Sequence, residues 1–153
     1  MKKSTASIFL FLLLLGFRVA SANSMSGVAV FPSGLTTTDK VFDAAIDLLK
    51  QSGFPPTTSD RQGGQIEASV TRYHTINAGK SGGLLEDISY WKLTVNSSSE
   101  RQIKVSIDRG SGLKVDESEI VGFLRNLVVG LRLDPSRVAV TIGGETKTLS
   151  QWK

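Results

Sequence analysis

The chain has 153 residues, a formal net charge of +4 and no cysteine. Zero Cys excludes disulfides, thiolate nucleophiles, Cys-based zinc sites and iron–sulfur ligation together, so the core has to hold the fold by itself. The surplus charge sits at the N-terminus, which removes the basic face that a nucleic-acid-binding domain needs.

Residues 1–22 read Lys2-Lys3, then an apolar run from Ile8 to Phe17 interrupted only by Gly16, then Ala20-Ser21-Ala22. A charged start, an apolar run of signal length and a small-x-small site predict a secretory signal cleaved after Ala22. Lys2, Lys3 and Arg18 leave with it and no acid does, so about 131 residues remain with 15 basic and 14 acidic side chains. The apolar run is about half of a bilayer span, so no stable membrane insertion is expected after cleavage. A secreted or periplasmic product follows, and the Lys-Lys start suits bacterial export. The remaining length suffices for one domain.

Residues 23–35 form an N-terminal segment with a short strand at Val28 to Phe31, and residues 36–153 form a single domain. Thr38 is placed to cap a helix with Asp39 in its first turn, where the macrodipole favours an acid. Val41, Phe42, Ala45, Ile46, Leu48 and Leu49 make one apolar stripe, and Gly53 with Pro55-Pro56 ends the helix. Thr57 to Gly64 is polar. Ile66, Ala68 and Val70 then alternate with polar residues at the two-residue period of a half-buried strand. Asn77 to Gly83 is Gly-rich and reads as a mobile loop. Ile88 to Val95 and Gln102 to Asp108 are expected to pair as an antiparallel hairpin through the polar connection Asn96 to Glu100.

Asp116 with Glu119 resembles a capping box opening a helix whose Ile120, Val121, Phe123, Leu124, Leu127 and Val128 form a wide apolar face, with Gly130 available to end it. Val138, Val140 and Ile142 point one way in a strand. Gly143-Gly144 fits a two-residue hairpin turn, and Thr146 to Leu149 returns as an edge. Every helix and strand has one apolar side. The economical fold is α+β: a two-layer sandwich with both helices on one face of a mainly antiparallel sheet of four to five strands.

Reactive chemistry is sparse. Gly79-Lys80-Ser81-Gly82-Gly83 fits the nucleophile-elbow pattern G-x-S-x-G, but that pattern needs a helix after the Ser, which two further glycines disfavour. The same residues end a near miss to a phosphate-binding loop, with His74 where the first Gly belongs. His74 is the only imidazole, so a His-based metal site or a Ser81–His74 hydrolase would depend on it alone; no metal ligand set and no cofactor are expected. Among acids, Glu86-Asp87 point to opposite strand faces, and Asp116, Glu117 and Glu119 are explained by a helix N-terminus. Trp91 shares parity with Leu93 and Val95 and belongs to the core. Tyr73 and Tyr90 fall on the opposite parity, so an exposed sheet face would carry both as an aromatic patch. Tyr73 and Tyr90, with Arg72 and His74 beside them, are the candidate binding residues.

From Arg101 to Ile142 the order is a strand Ile103-Lys104-Val105-Ser106-Ile107, a Gly110 to Gly112 loop, the Asp116 to Val129 helix, and Gly130-Leu131 leading to Val138-Ala139-Val140. This resembles the ring-building motif of the inner-membrane ring proteins of type III secretion systems and flagellar basal bodies. There a similar strand and helix end in Gly-Leu-x-x-x-x-Val-x-Val. Here six residues separate Leu131 from Val138, or four if counted from Leu133. The resemblance implies a small α+β wedge that packs side by side, and so an oligomer. The functional expectation is an exported, non-enzymatic domain that binds a protein partner, as an accessory of a cell-envelope or secretion assembly. The alternatives are a small-ligand binder using the aromatic sheet face, and a small hydrolase using Ser81 or paired carboxylates with His74.

Overall fold

The computed structural model describes residues 23–78, 81–96, 101–110 and 113–153. Residues 1–22, where a secretory signal is expected, Gly79-Lys80, most of the Asn96 to Glu100 connection, and Ser111-Gly112 of the Gly110 to Gly112 loop lie outside the described residues.

Helix α1 spans Thr38–Gln51. Its N-cap is Thr37, one residue before the expected Thr38, and the Thr37 hydroxyl accepts from the Lys40 N–H at 3.3 Å. The C-terminus closes as a Schellman motif, with the Phe54 N–H donating to Leu49 O at 2.8 Å and Gly53 at φ +80. Glycine is required there because left-handed backbone crowds a Cβ. Helix α2 spans Glu117–Gly130 and opens on the full Asp116/Glu119 capping box. The Ser118 backbone N–H and hydroxyl hold the Asp116 carboxyl below its usual range. Gly130 is only the last helical residue. The left-handed position falls on Arg132 at φ +57, and the Leu133 N–H donates to Val128 O at 3.0 Å.

The sheet has seven strands among the described residues, two or three more than expected, and every neighbouring pair is antiparallel. They are β1 (Ser24–Phe31), β2 (Pro56–Asp60), β3 (Gln65–Ala78), β4 (Ser81–Asn96), β5 (Arg101–Arg109), β6 (Ala139–Ile142) and β7 (Glu145–Thr148), in the order β2-β3-β4-β5-β1-β6-β7. The N-terminal segment is a full strand between β5 and β6. The polar Pro-Thr-Thr-Ser-Asp stretch is edge strand β2, recruited by the β3 ladder and not by apolar alternation of its own. The Gly-rich stretch is not a long loop, because Asn77 pairs with Gly82 and Ala78 with Ser81. The expected pairing of β4 with β5 forms, as does the Gly143-Gly144 turn, whose φ values of +60 and +87 admit little but glycine.

Both helices lie on one face. The core joins Val41, Phe42, Ala45 and Leu49 of α1 and the apolar face of α2 to Ile66, Ala68, Trp91, Leu93, Ile103, Val105, Ile107, Val140 and Ile142 from the sheet. Trp91 stacks on Phe54 with ring centroids 5.4 Å apart and also meets Phe123. Gly27 lets α2 approach β1, since a Cβ there would lie 2.7 Å from Ile120 Cγ2. Trp152 is buried and donates its indole N–H to Val140 O at 3.3 Å, tying the C-terminal end to β6.

Candidate functional site

Strands β3 and β4 outrun the rest of the sheet. β2 reaches only Ala68, and β5 reaches β4 only from Ser89 onward. From Thr71↔Ile88 to Ala78↔Ser81, eight ladder pairs have no third strand among the described residues. At about 3.3 Å per residue this is a two-stranded arm on the order of 26 Å long. Beyond Ile88, whose carbonyl accepts the Gly110 N–H at 2.9 Å, its two outer backbone edges carry no strand among the described residues, and such edges are open to pairing with another chain. Tyr73 and Leu84 project from it at 65% and 72% exposure.

The alternation of β3 and β4 gives this arm and its base two different faces. On the face away from the helices, one rank crosses four strands as Ser69, Tyr90, Asp108 and Ser24; the next carries Glu67, Lys92, Ser106 and Ser26. Neighbours within a rank are about 4.8 Å apart. Sheet twist and the irregularity between Pro56 and Thr58 leave a concavity of about 540 Å³ over these ranks. Its lining includes Tyr90, Lys92, Ser106, Asp108, Ser69 and Glu67. Tyr90 is half exposed, and Lys92 Nζ lies 3.3 Å from Glu67 Oε1. Tyr73 shares this face but not the concavity. It stands opposite Glu86, two ranks and about 13 Å further out on the arm, with the Thr71–Ile88 pair between.

Arg72 and His74 occupy the helix-side face, so the four candidate binding residues divide two and two. The Arg72 guanidinium lies over the Phe54 ring, 5.0 Å from its centroid. His74 Nε2 is 3.4 Å from Asp87 Oδ2, and Asp87 is only 1% exposed. On the other side of that carboxylate, Arg109 Nε stands 3.8 Å away. The Arg109 guanidinium grips both Glu119 oxygens at 2.7 and 2.8 Å and donates to Lys114 O at 3.2 Å. Glu119 thus completes the α2 capping box and also anchors β5. The chain His74, Asp87, Arg109, Glu119 joins the root of the arm to the start of α2. Glu117 remains an exposed first-turn acid.

The remaining candidate chemistry is dispersed. The Glu86 and Asp87 carboxylates diverge, one exposed on the open face and the other buried on the helix face. Ser81 pairs with Ala78 and His74 with Leu85, so their backbones lie four ladder steps, about 13 Å, apart. Ser81 also opens a strand, where both glycine motifs require a helix. No group of three His, Cys, Asp or Glu able to hold a metal ion occurs among the described residues. No helix among them is long and apolar enough to cross a membrane.

Sequence reasoning missed Asp108 and Ser69 beside Tyr90, and the partnership of Asp87 with Arg109. A signal for the first was present: once β3, β4 and β5 are aligned, alternation alone puts Ser69, Tyr90 and Asp108 in one rank. The second depends on the register of β4 against β5, which sets Ser89 opposite Arg109 and so makes Asp87 its diagonal neighbour on the same face.

No family model matches the chain, and no curated protein matches it. Among solved structures, the chain is similar to a protein of Bacteroides ovatus described as a DUF4468 family protein, with 11% identity and a TM-score of 0.39. The match covers 87% of this chain and 64% of that one, so the chain spans less than two thirds of its neighbour's length.

Proposed function

We propose that this chain is an exported, non-enzymatic α+β domain that works through protein–protein contacts, as an accessory of a cell-envelope or secretion assembly, with the β3–β4 arm as its contact element. The observation that carries this reading is the arm itself: eight ladder pairs beyond the third strand, with Tyr73 and Leu84 in solvent. An extended partner segment adding to either edge gains main-chain hydrogen bonds along its length, and the exposed side chains confer selectivity. The ring-building resemblance of Arg101 to Ile142 points to the same class of action, assembly by surface contact. The test shortens the arm by replacing Thr75–Leu84 with Asn-Gly between the paired residues His74 and Leu85. Immobilised wild-type protein is expected to retain a discrete envelope protein that both the shortened variant and Tyr73→Ala lose. Equal retention by all three removes the arm from the account.

A second reading, small-ligand binding on the open sheet face, is favoured by the concavity beside Tyr90. It needs no contribution from the arm.

A further inference from the structure

We infer that the concavity over Tyr90 is a binding site for a neutral saccharide. The inference rests on the small-ligand reading of the open face and names its ligand class; it is independent of the arm.

The lining combines one apolar platform with a lattice of short polar groups. The Tyr90 ring is half exposed, and Ser69 and Asp108 stand on either side of it, about 4.8 Å away across the strands. Ser24 lies one strand beyond Asp108. Glu67, Lys92 and Ser106 form the next rank, about 6.6 Å along the strands. Ligand sites generally pair an apolar surface with a few fixed polar groups that set orientation. A pyranose meets that description from the ligand side. One ring face presents C–H groups that lie flat on a phenol, and the ring edge carries hydroxyls that both donate and accept. Serine hydroxyls and a carboxylate at the platform's edge match those hydroxyls.

Charge narrows the class. Lys92 is held by Glu67 at 3.3 Å, and Asp108 forms no ion pair among the described residues. With two acids and one base the site carries a formal charge of −1, which disfavours phosphate, sulfate and carboxylate ligands. A purely apolar ligand would strip water from the polar rim without replacing its hydrogen bonds. A quaternary ammonium ion would find a single ring and not the aromatic cage that makes such sites tight. A neutral sugar meets none of these costs. Tyrosine is also a low-entropy platform, with few side-chain torsions to immobilise.

The test is backbone amide chemical-shift mapping on the ¹⁵N-labelled protein. The neutral probes are maltotriose, cellotriose, xylotriose and the fully N-acetylated chitotriose. Inorganic phosphate, tetramethylammonium and 4-nitrophenol are the contrasting probes. At least one trisaccharide is expected to shift the amides of Ser69, Tyr90, Lys92, Ser106 and Asp108 in a saturable way. Tyr90→Ala is expected to weaken that binding roughly tenfold or more, while Tyr90→Phe, which keeps the ring, stays within about threefold of wild type. If the sugars leave these amides unmoved while 4-nitrophenol, tetramethylammonium or phosphate shifts them, the saccharide assignment is overturned and the ligand-binding reading stands. If no probe shifts them, both fall. Sugar-induced shifts that persist in Tyr90→Ala overturn the platform role and the inference with it.

Discussion

Gly64 sits in the turn between β2 and β3 at φ +64, and its carbonyl accepts the Val95 N–H at 2.7 Å. A Cβ added there would lie 2.1 Å from the Val95 carbonyl oxygen, closer than any side-chain carbon tolerates, and the obstacle is backbone that cannot rotate away. In Gly64→Ala the left-handed conformation costs about 1–2 kcal/mol. Relieving the overlap costs about 1–3 kcal/mol more by the measure of overpacked cores. The Gly64–Val95 hydrogen bond, worth about 1 kcal/mol, is strained or lost. The sum is about 4 kcal/mol, which for a domain of this size lowers Tm by roughly 12–20 °C. Gly53→Ala is the matched control. Its φ is +80, but nothing lies within 4 Å of the added carbon, so only the conformational cost of about 1–2 kcal/mol applies. Thermal unfolding followed by circular dichroism, with urea titrations for the free energies, compares the two. A Gly64→Ala protein no less stable than Gly53→Ala would refute the packing of the β2–β3 turn against β4.

Arg132→Gly relieves a left-handed non-glycine residue and is expected to stabilise by about 0.5–1 kcal/mol in urea unfolding; a loss of stability would contradict the Schellman ending of α2. Glu119→Gln keeps a capping acceptor but weakens the grip on Arg109, and is expected to cost about 1 kcal/mol. Glu119→Ala removes both and is expected to cost about 2–3 kcal/mol, so equal losses in the two variants would contradict the dual role. The Asp116 carboxyl is held below its usual 3.8 by the Ser118 N–H and hydroxyl, so its contribution to stability is complete above that pH and is lost as pH falls through the depressed value. Asp116→Asn retains a cap acceptor without the titration, and its Tm is expected to fall less steeply than wild type on acidification below about pH 4. Parallel acid limbs would contradict this.

The helices were legible because their signals are local. The stripe from Val41 to Leu49, the Asp116/Glu119 box and Gly53 each fix an element without reference to distant residues. β2 was not legible: four of its five residues are exposed, so no alternation marks it, and it exists through its ladder to β3. The outer arm was missed for a related reason. Gly82 and Gly83 weaken strand propensity, yet each faces a β3 partner, and pairing outweighs composition there. The parity of Tyr73 and Tyr90 was readable residue by residue and puts both on the open face. Their separation was not, because it needs the register of β3 against β4. Asp87 continues the inward parity of Trp91 and Ser89, where an apolar residue would be expected, and its reason is the Arg109 side chain from β5.

Site-specific photocrosslinking tests the contact role of the arm most directly. A benzophenone amino acid placed at Tyr73 or Leu84, both far into solvent, is expected to give one defined adduct in envelope extract, whereas the same probe at Lys50 on the exposed side of α1 gives none. No adduct at either arm position, or the same adducts from Lys50, would contradict the assignment.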